Sequence, residues 1–150
     1  MASAKVRVSL ITAILAYASL AIASDDPRHV RHELMEGVGK AAKPVGNMLK
    51  GERDFDVDTL MSSLKTFKDA SGQLGDLFPP DSQSGEGTEA APAIWEDRAG
   101  FEEALATWQK AVGDALAAEP ATLDDAKPVV GPIFEACKGC HDTYRIEEDE

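Results

Sequence analysis

The sequence predicts an all-α protein, an antiparallel four-helix bundle. Three observations carry this. Four stretches place apolar residues at intervals of three and four, and clusters of proline, glycine and serine separate them. No period-two run of β-branched residues appears anywhere, so strands have no support. Short connections join the first helix to the second and the third to the fourth, so each pair can pack as antiparallel neighbours, and a single long connection lies between the second and the third.

Ahead of the first helix the chain reads MASAKVRVSLITAILAYASLAIASDD. Lys5 and Arg7 form a short basic region, an apolar run follows from Val8 to Ile22, and Ala21-Ile22-Ala23 closes it with small residues. This is the pattern of a secretory signal cut after Ala23. The run is short for a membrane span. Residues 1–23 are therefore expected to be removed, leaving one exported domain at 24–150 with no span after cleavage.

Asp25-Asp26-Pro27 supplies a cap and a first-turn proline for the first helix, whose apolar residues run from Leu34 and Met35 through Val38, Val45 and Met48 to a stop at Gly51. Pro44 within it predicts a bend. The second helix starts near Asp56 or Asp58, carries Leu60, Leu64, Phe67 and Leu74, and stops at Gly75 to Pro80. The segment FPPDSQSGEGTEAAP reads as the one long surface loop. Ile94-Trp95 is a buried lead-in to the third helix, which runs from about Asp97 through Phe101, Leu105, Trp108 and Val112 to Pro120. The fourth begins at a Thr122 cap and carries Val130, Ile133, Cys137, His141 and Tyr144. Pro128 and Pro132 inside it each remove a backbone hydrogen bond, so a kink or a late start is expected.

With 15 basic and 27 acidic residues the chain is strongly acidic, and losing Lys5 and Arg7 lowers the basic count to 13 and the net charge to near −14. Such a surface repels nucleic acid and steers partners that present a basic docking patch. The acidic end Ile146-Glu147-Glu148-Asp149-Glu150 reads as a solvated tail. No nucleophile triad, phosphate loop or paired carboxylate appears, so no enzymatic activity is expected.

The chemistry lies in Cys137-Lys138-Gly139-Cys140-His141, which holds the only two cysteines. C-x-x-C-H is the attachment pattern for haem c: two thiols three residues apart on a helix share one face and reach both vinyl groups, and the next residue's imidazole ligates iron. A redox disulfide normally accompanies a βαβ pattern, which is missing. A structural zinc site needs a fourth ligand, with His29 and His32 the remaining histidines. The scarcity of aromatic residues also suits a bundle whose interior is filled by a large apolar macrocycle.

The segments RHELM (31–35), MLKGERDFD (48–56), LFP (77–79), TEAAPAIWEDRAGF (88–101) and CKGCHDTYR (137–145) together resemble the class II c-type cytochromes, the cytochrome c′ family, over nearly all of the exported chain. The resemblance implies a four-helix bundle with one covalent haem c near the C-terminal helix. It further implies electron transfer or gas binding in the periplasm, and a homodimer through the first two helices. From the residues alone, the alanine and glycine surfaces of those helices suit a partner helix and solvent equally.

Carried over residue by residue, Cys137 and Cys140 hold the porphyrin and His141 is the proximal iron ligand. Arg145 matches the basic residue near that histidine, and Arg31 the one near a haem propionate; read alone, either is equally a solvated surface cation. Met35 matches the distal ligand of the low-spin members, which act as electron carriers. The alternative is the five-coordinate, high-spin type, in which Met35 only shields a vacant distal site that takes up nitric oxide or carbon monoxide. AAPAIWE and KGERDFD resemble the methionine-ligated group more closely. His32, three residues before Met35, points to nearly the same face and is the rival ligand, with an exposed place near the haem edge its expected role. His29 is expected on the surface. Pro128, Pro132 and the acidic tail depart from the family pattern.

Overall fold

The structure is a computed structural model and describes residues 26–85 and 88–146. The expected signal segment 1–23 and the acidic tail from residue 147 onward lie outside the described residues. Four long helices form the bundle: α1 (Pro27–Lys50), α2 (Val57–Leu74), α4 (Arg98–Ala118) and α5 (Leu123–Tyr144), with the short α3 (Ala93–Glu96) before α4. Among the described residues the only strand-like pairing is an isolated antiparallel bridge between Ala90 and Arg145.

Each long helix starts on a side-chain cap. Asp26 accepts from the Arg28 N–H at 2.9 Å, Asp56 from Thr59 at 2.7 Å, Asp97 from Gly100 at 3.1 Å and Thr122 from Asp125 at 3.2 Å. These bonds satisfy N–H groups that no preceding turn can reach. At the other end of α1, Gly51 takes a left-handed conformation with φ 75°, and its N–H bonds to Asn47 and Met48 carbonyls. The fourth predicted helix does not start late: α5 begins directly after the Thr122 cap and runs unbroken past Pro128 and Pro132. Its apolar face, packed on α4, outweighs two missing backbone donors.

The short connections fold α1 against α2 and α4 against α5, and α2 packs on α4, whereas α1 and α5 touch only briefly. Buried residues divide the bundle into two ends. Val45 and Met48 of α1, Leu60 and Leu64 of α2, Val112 and Ala115 of α4, and Ala126, Val130 and Ile133 of α5 close one end into a packed core. At the opposite end α1 and α5 stand apart, and a cavity opens between them.

The loop expected to be a bare surface feature is better anchored than its composition suggests. Phe78, Ser82 and Ala90 are buried, and Pro80–Ser82 forms a 3₁₀ turn. The reason is Arg31, which gathers the loop around its guanidinium.

Candidate functional site

The cavity has a volume of about 440 Å³, within the range of small-molecule and cofactor sites. Its walls are mainly apolar, and Phe78, Phe101 and Tyr144 line it as a row of edge-to-face rings with centroids 4.8 Å and 5.4 Å apart. Met35 of α1 borders it, half-buried, and Cys137, Cys140 and His141 border it from α5. The helical spacing of three and four residues puts both thiols and the imidazole on one face, and the cavity is what that face meets.

The two cysteines are free thiols, both half-buried. Burial is the main force raising the Cys137 pKa to about 11, with Cys140 adding to it, and burial raises that of Cys140 as well. Such thiols stay protonated at neutral pH, unlike the depressed thiols of redox-active disulfide motifs. His141 is accessible, since it opens on the cavity, yet the protein around it still lowers its pKa: desolvation is the largest cause and Arg145 the second. The imidazole is thus kept neutral, the form that binds a metal. Among the described residues no group of three or more His, Cys, Asp or Glu is placed to hold a metal ion.

Arg31 is a buried residue, not a solvated cation. One terminal nitrogen donates to the Leu77 carbonyl at 2.7 Å and to Ser82 Oγ at 2.8 Å; the other donates to the Ser82 carbonyl and Thr88 Oγ1, both at 3.1 Å. The guanidinium also lies 4.7 Å from the Phe78 ring centroid. Desolvation lowers its pKa, and among the described residues it has no carboxylate ion-pair partner. A buried cation at the edge of a cavity, held only by neutral acceptors, suits an anionic group on whatever occupies that cavity.

Arg145 is half-exposed and borders the cavity, with Nε 3.1 Å from Glu89 Oε2. Glu89 also lies 3.8 Å from His32 Nδ1, and so links α1 to the end of α5 across the cavity mouth. His32 is exposed at that mouth, and His29 sits on the surface beside Glu33 at 3.2 Å. The end of α5 is clamped by two backbone bonds, from the Ala91 N–H to the Tyr144 carbonyl at 3.0 Å and from the Ile146 N–H to the Glu89 carbonyl at 2.7 Å. Glu89, Ser82 and Thr88 had no sequence signal, because their roles depend on contacts more than fifty residues away along the chain.

The site thus combines a mainly apolar cavity, two thiols and an imidazole on one wall, a thioether on another and a buried cation at the edge with no ion-pair partner among the described residues. The family model of cytochrome c′ matches residues 26–145. The chain belongs to the cytochrome c′ family. It is 37% identical to a cytochrome c′ of Rhodopseudomonas palustris over 147 residues, covering 96% of this chain and 99% of the relative. It is 31% identical to a cytochrome c-556 of the same organism over 141 residues, covering 91% and 93%. The solved structure of a Rhodopseudomonas palustris cytochrome c′ matches with a TM-score of 0.79 at 35% identity, over 84% of this chain and 100% of that one. The cofactor of this cytochrome is covalent haem c, and the donor set fits it: two thiols for thioether bonds, a neutral imidazole for iron, and a guanidinium for a carboxylate.

Proposed function

We propose that this cytochrome is a periplasmic electron carrier whose haem iron is held by His141 and Met35, with Cys137 and Cys140 as the covalent anchors. The observation that carries the reading is that Met35 of α1 and His141 of α5 border the same cavity, at the end of the bundle where α1 and α5 stand apart. Haem c supplies one-electron exchange between ferric and ferrous iron.

The chain's own residues do the rest. Desolvation by the surrounding protein and the charge of Arg145 lower the His141 pKa, and the clamp between 89–91 and 144–146 fixes the end of its helix. Met35 brings a thioether, a ligand that favours the reduced state and raises the potential. Arg31, its terminal N–H groups already bonded to the loop, offers its positive charge to a propionate, with Arg145 a second cation at the rim. The apolar walls exclude water. A partner with a basic docking patch matches the acidic surface. Export by the signal segment fits the oxidation chemistry, and no helix among the described residues is long and apolar enough to cross a membrane.

The relatives keep a second reading in view. A mutant of a cytochrome c′ of Alcaligenes xylosoxidans, 25% identical with a TM-score of 0.71, has been solved as a nitric oxide complex. In that reading Met35 shields an open distal site. The two readings part on one variant. Met35→Ala converts a methionine-ligated low-spin iron to high spin, whereas an unchanged spectrum sinks the electron-carrier ligation.

A further inference from the structure

A second depression, an open groove of about 490 Å³, lies on the outer face of the bundle between α4 and α5. Its floor is built from small residues, among them Ala111 and Gly139, which let the two helices leave a trough beside Pro132. Ala104, Ala136 and Cys140 line this groove and also line the haem cavity. These three residues of α4 and α5 therefore border solvent in the groove and the cavity at once.

We propose that electrons enter and leave the protein through this wall, and that the α4–α5 groove is the docking surface for a basic redox protein. The proposal rests on the reading of Cys140 as a haem anchor, since an anchored Cys140 is covalently joined to the redox centre and touches the groove at once. The cavity mouth offers a poorer route for a basic partner: Arg28 is paired there with Asp26 at 2.6 Å and Arg145 with Glu89 at 3.1 Å, which leaves Arg31, a cation, without an ion-pair partner among the described residues. At the groove Lys110 is already paired with Asp114 at 2.6 Å, and Glu135 has no ion-pair partner among the described residues. The free charge at the rim is thus acidic, complementary to a cationic partner.

Two charge-reversal variants of the holoprotein test this, Glu135→Lys at the groove and Glu36→Lys at the mouth, which change the net charge equally. The probe reductant is hexaammineruthenium(II): it gives one electron to the ferric protein, becomes the ruthenium(III) complex, and leaves a ferrous protein with no atom or proton transferred. At low ionic strength Glu135→Lys is expected to slow this reaction about five-fold and Glu36→Lys less than two-fold. Hexaamminechromium(III), a paramagnetic cation that is redox-inert here, gives a second readout. It is expected to broaden the amide signals of Thr107, Ala111, Glu135 and Gly139 in the ¹⁵N-labelled protein, and Glu135→Lys is expected to abolish this. Equal slowing by both variants, a larger effect at Glu36, or broadening centred on the mouth overturns the proposal. The absorption spectrum of the same samples reports the axial ligands separately, so a failure of the Met35 reading is distinguishable from a failure of this route.

Discussion

Replacing Arg31 by methionine keeps the length and apolar stem of the side chain and removes its guanidinium, which isolates what the buried cation does. Four hydrogen bonds vanish, but they are not equal. Ser82 Oγ keeps its own bond to the Pro79 carbonyl at 2.9 Å, and Thr88 Oγ1 keeps the Ala90 N–H at 3.3 Å. The carbonyls of Leu77 and Ser82 lose the donor that Arg31 supplied. Each orphaned buried acceptor costs about 1–3 kcal/mol. The contact with Phe78 adds about 1 kcal/mol. Relief from burying a charge offsets part of this, so a net loss of about 3 kcal/mol is expected, a large share of a domain's stability. Denaturant unfolding of the holoprotein measures it, and hydrogen exchange at Ser82, Thr88 and Ala90 shows whether the loop is released first. Arg31→Lys is expected to fall between, because one ammonium cannot span the set of acceptors that the planar fork reaches. A loss under about 1 kcal/mol, or unchanged protection in the loop, refutes the claim that Arg31 organises this end of the bundle.

Three further outcomes follow from particular contacts. A methyl group at Gly100 would lie 2.2 Å from Asp97 Oδ2 and 2.6 Å from the Tyr144 hydroxyl, so Gly100→Ala disturbs the α4 cap. It is expected to destabilise by about 1 kcal/mol, where an unhindered helix position gains about that much, and thermal melting gives the sign. Trp108 is buried and its Nε1 has no partner among the described residues. Trp108→Phe keeps an aromatic ring in that place and is expected to cost less than Trp108→Ala, at about 3–5 kcal/mol, both read from denaturant midpoints. Asp26 is held near pKa 2, below its ordinary 3.8, chiefly by its side-chain bonds to Arg28. A depressed carboxylate stabilises above the unfolded pKa, and the gain is lost as pH falls through the folded one. The gap in melting temperature between the parent and Asp26→Asn is expected to be full above about pH 4 and to close near pH 2; a gap that persists at pH 2 contradicts this.

The bundle was legible because its signals are local. Caps at Asp26, Asp56, Asp97 and Thr122 and apolar residues at helical spacing mark each helix within a few residues of where it stands. The C-x-x-C-H group was legible for the same reason, since its geometry is set within one turn. Pro128 and Pro132 do not delay the start of α5: propensity weighs a missing donor but not the face that α5 buries against α4. The loop at 78–92 misled because composition reports what a segment does alone, and this one is held by Arg31 from another helix. Glu89 could not be found at all: it acts by pairing with Arg145 and facing His32, three residues that only the fold brings together.

The central claim is that iron is held between His141 and Met35, and the visible spectrum of the mature holoprotein tests it most directly. Ferric and dithionite-reduced samples are recorded, the latter with and without carbon monoxide. Sharp, separated α and β bands on reduction, and no rapid change when carbon monoxide is added, are expected. A broad merged band with a high-spin Soret, shifted at once by carbon monoxide, contradicts the claim and leaves Met35 as a shield over an open distal site.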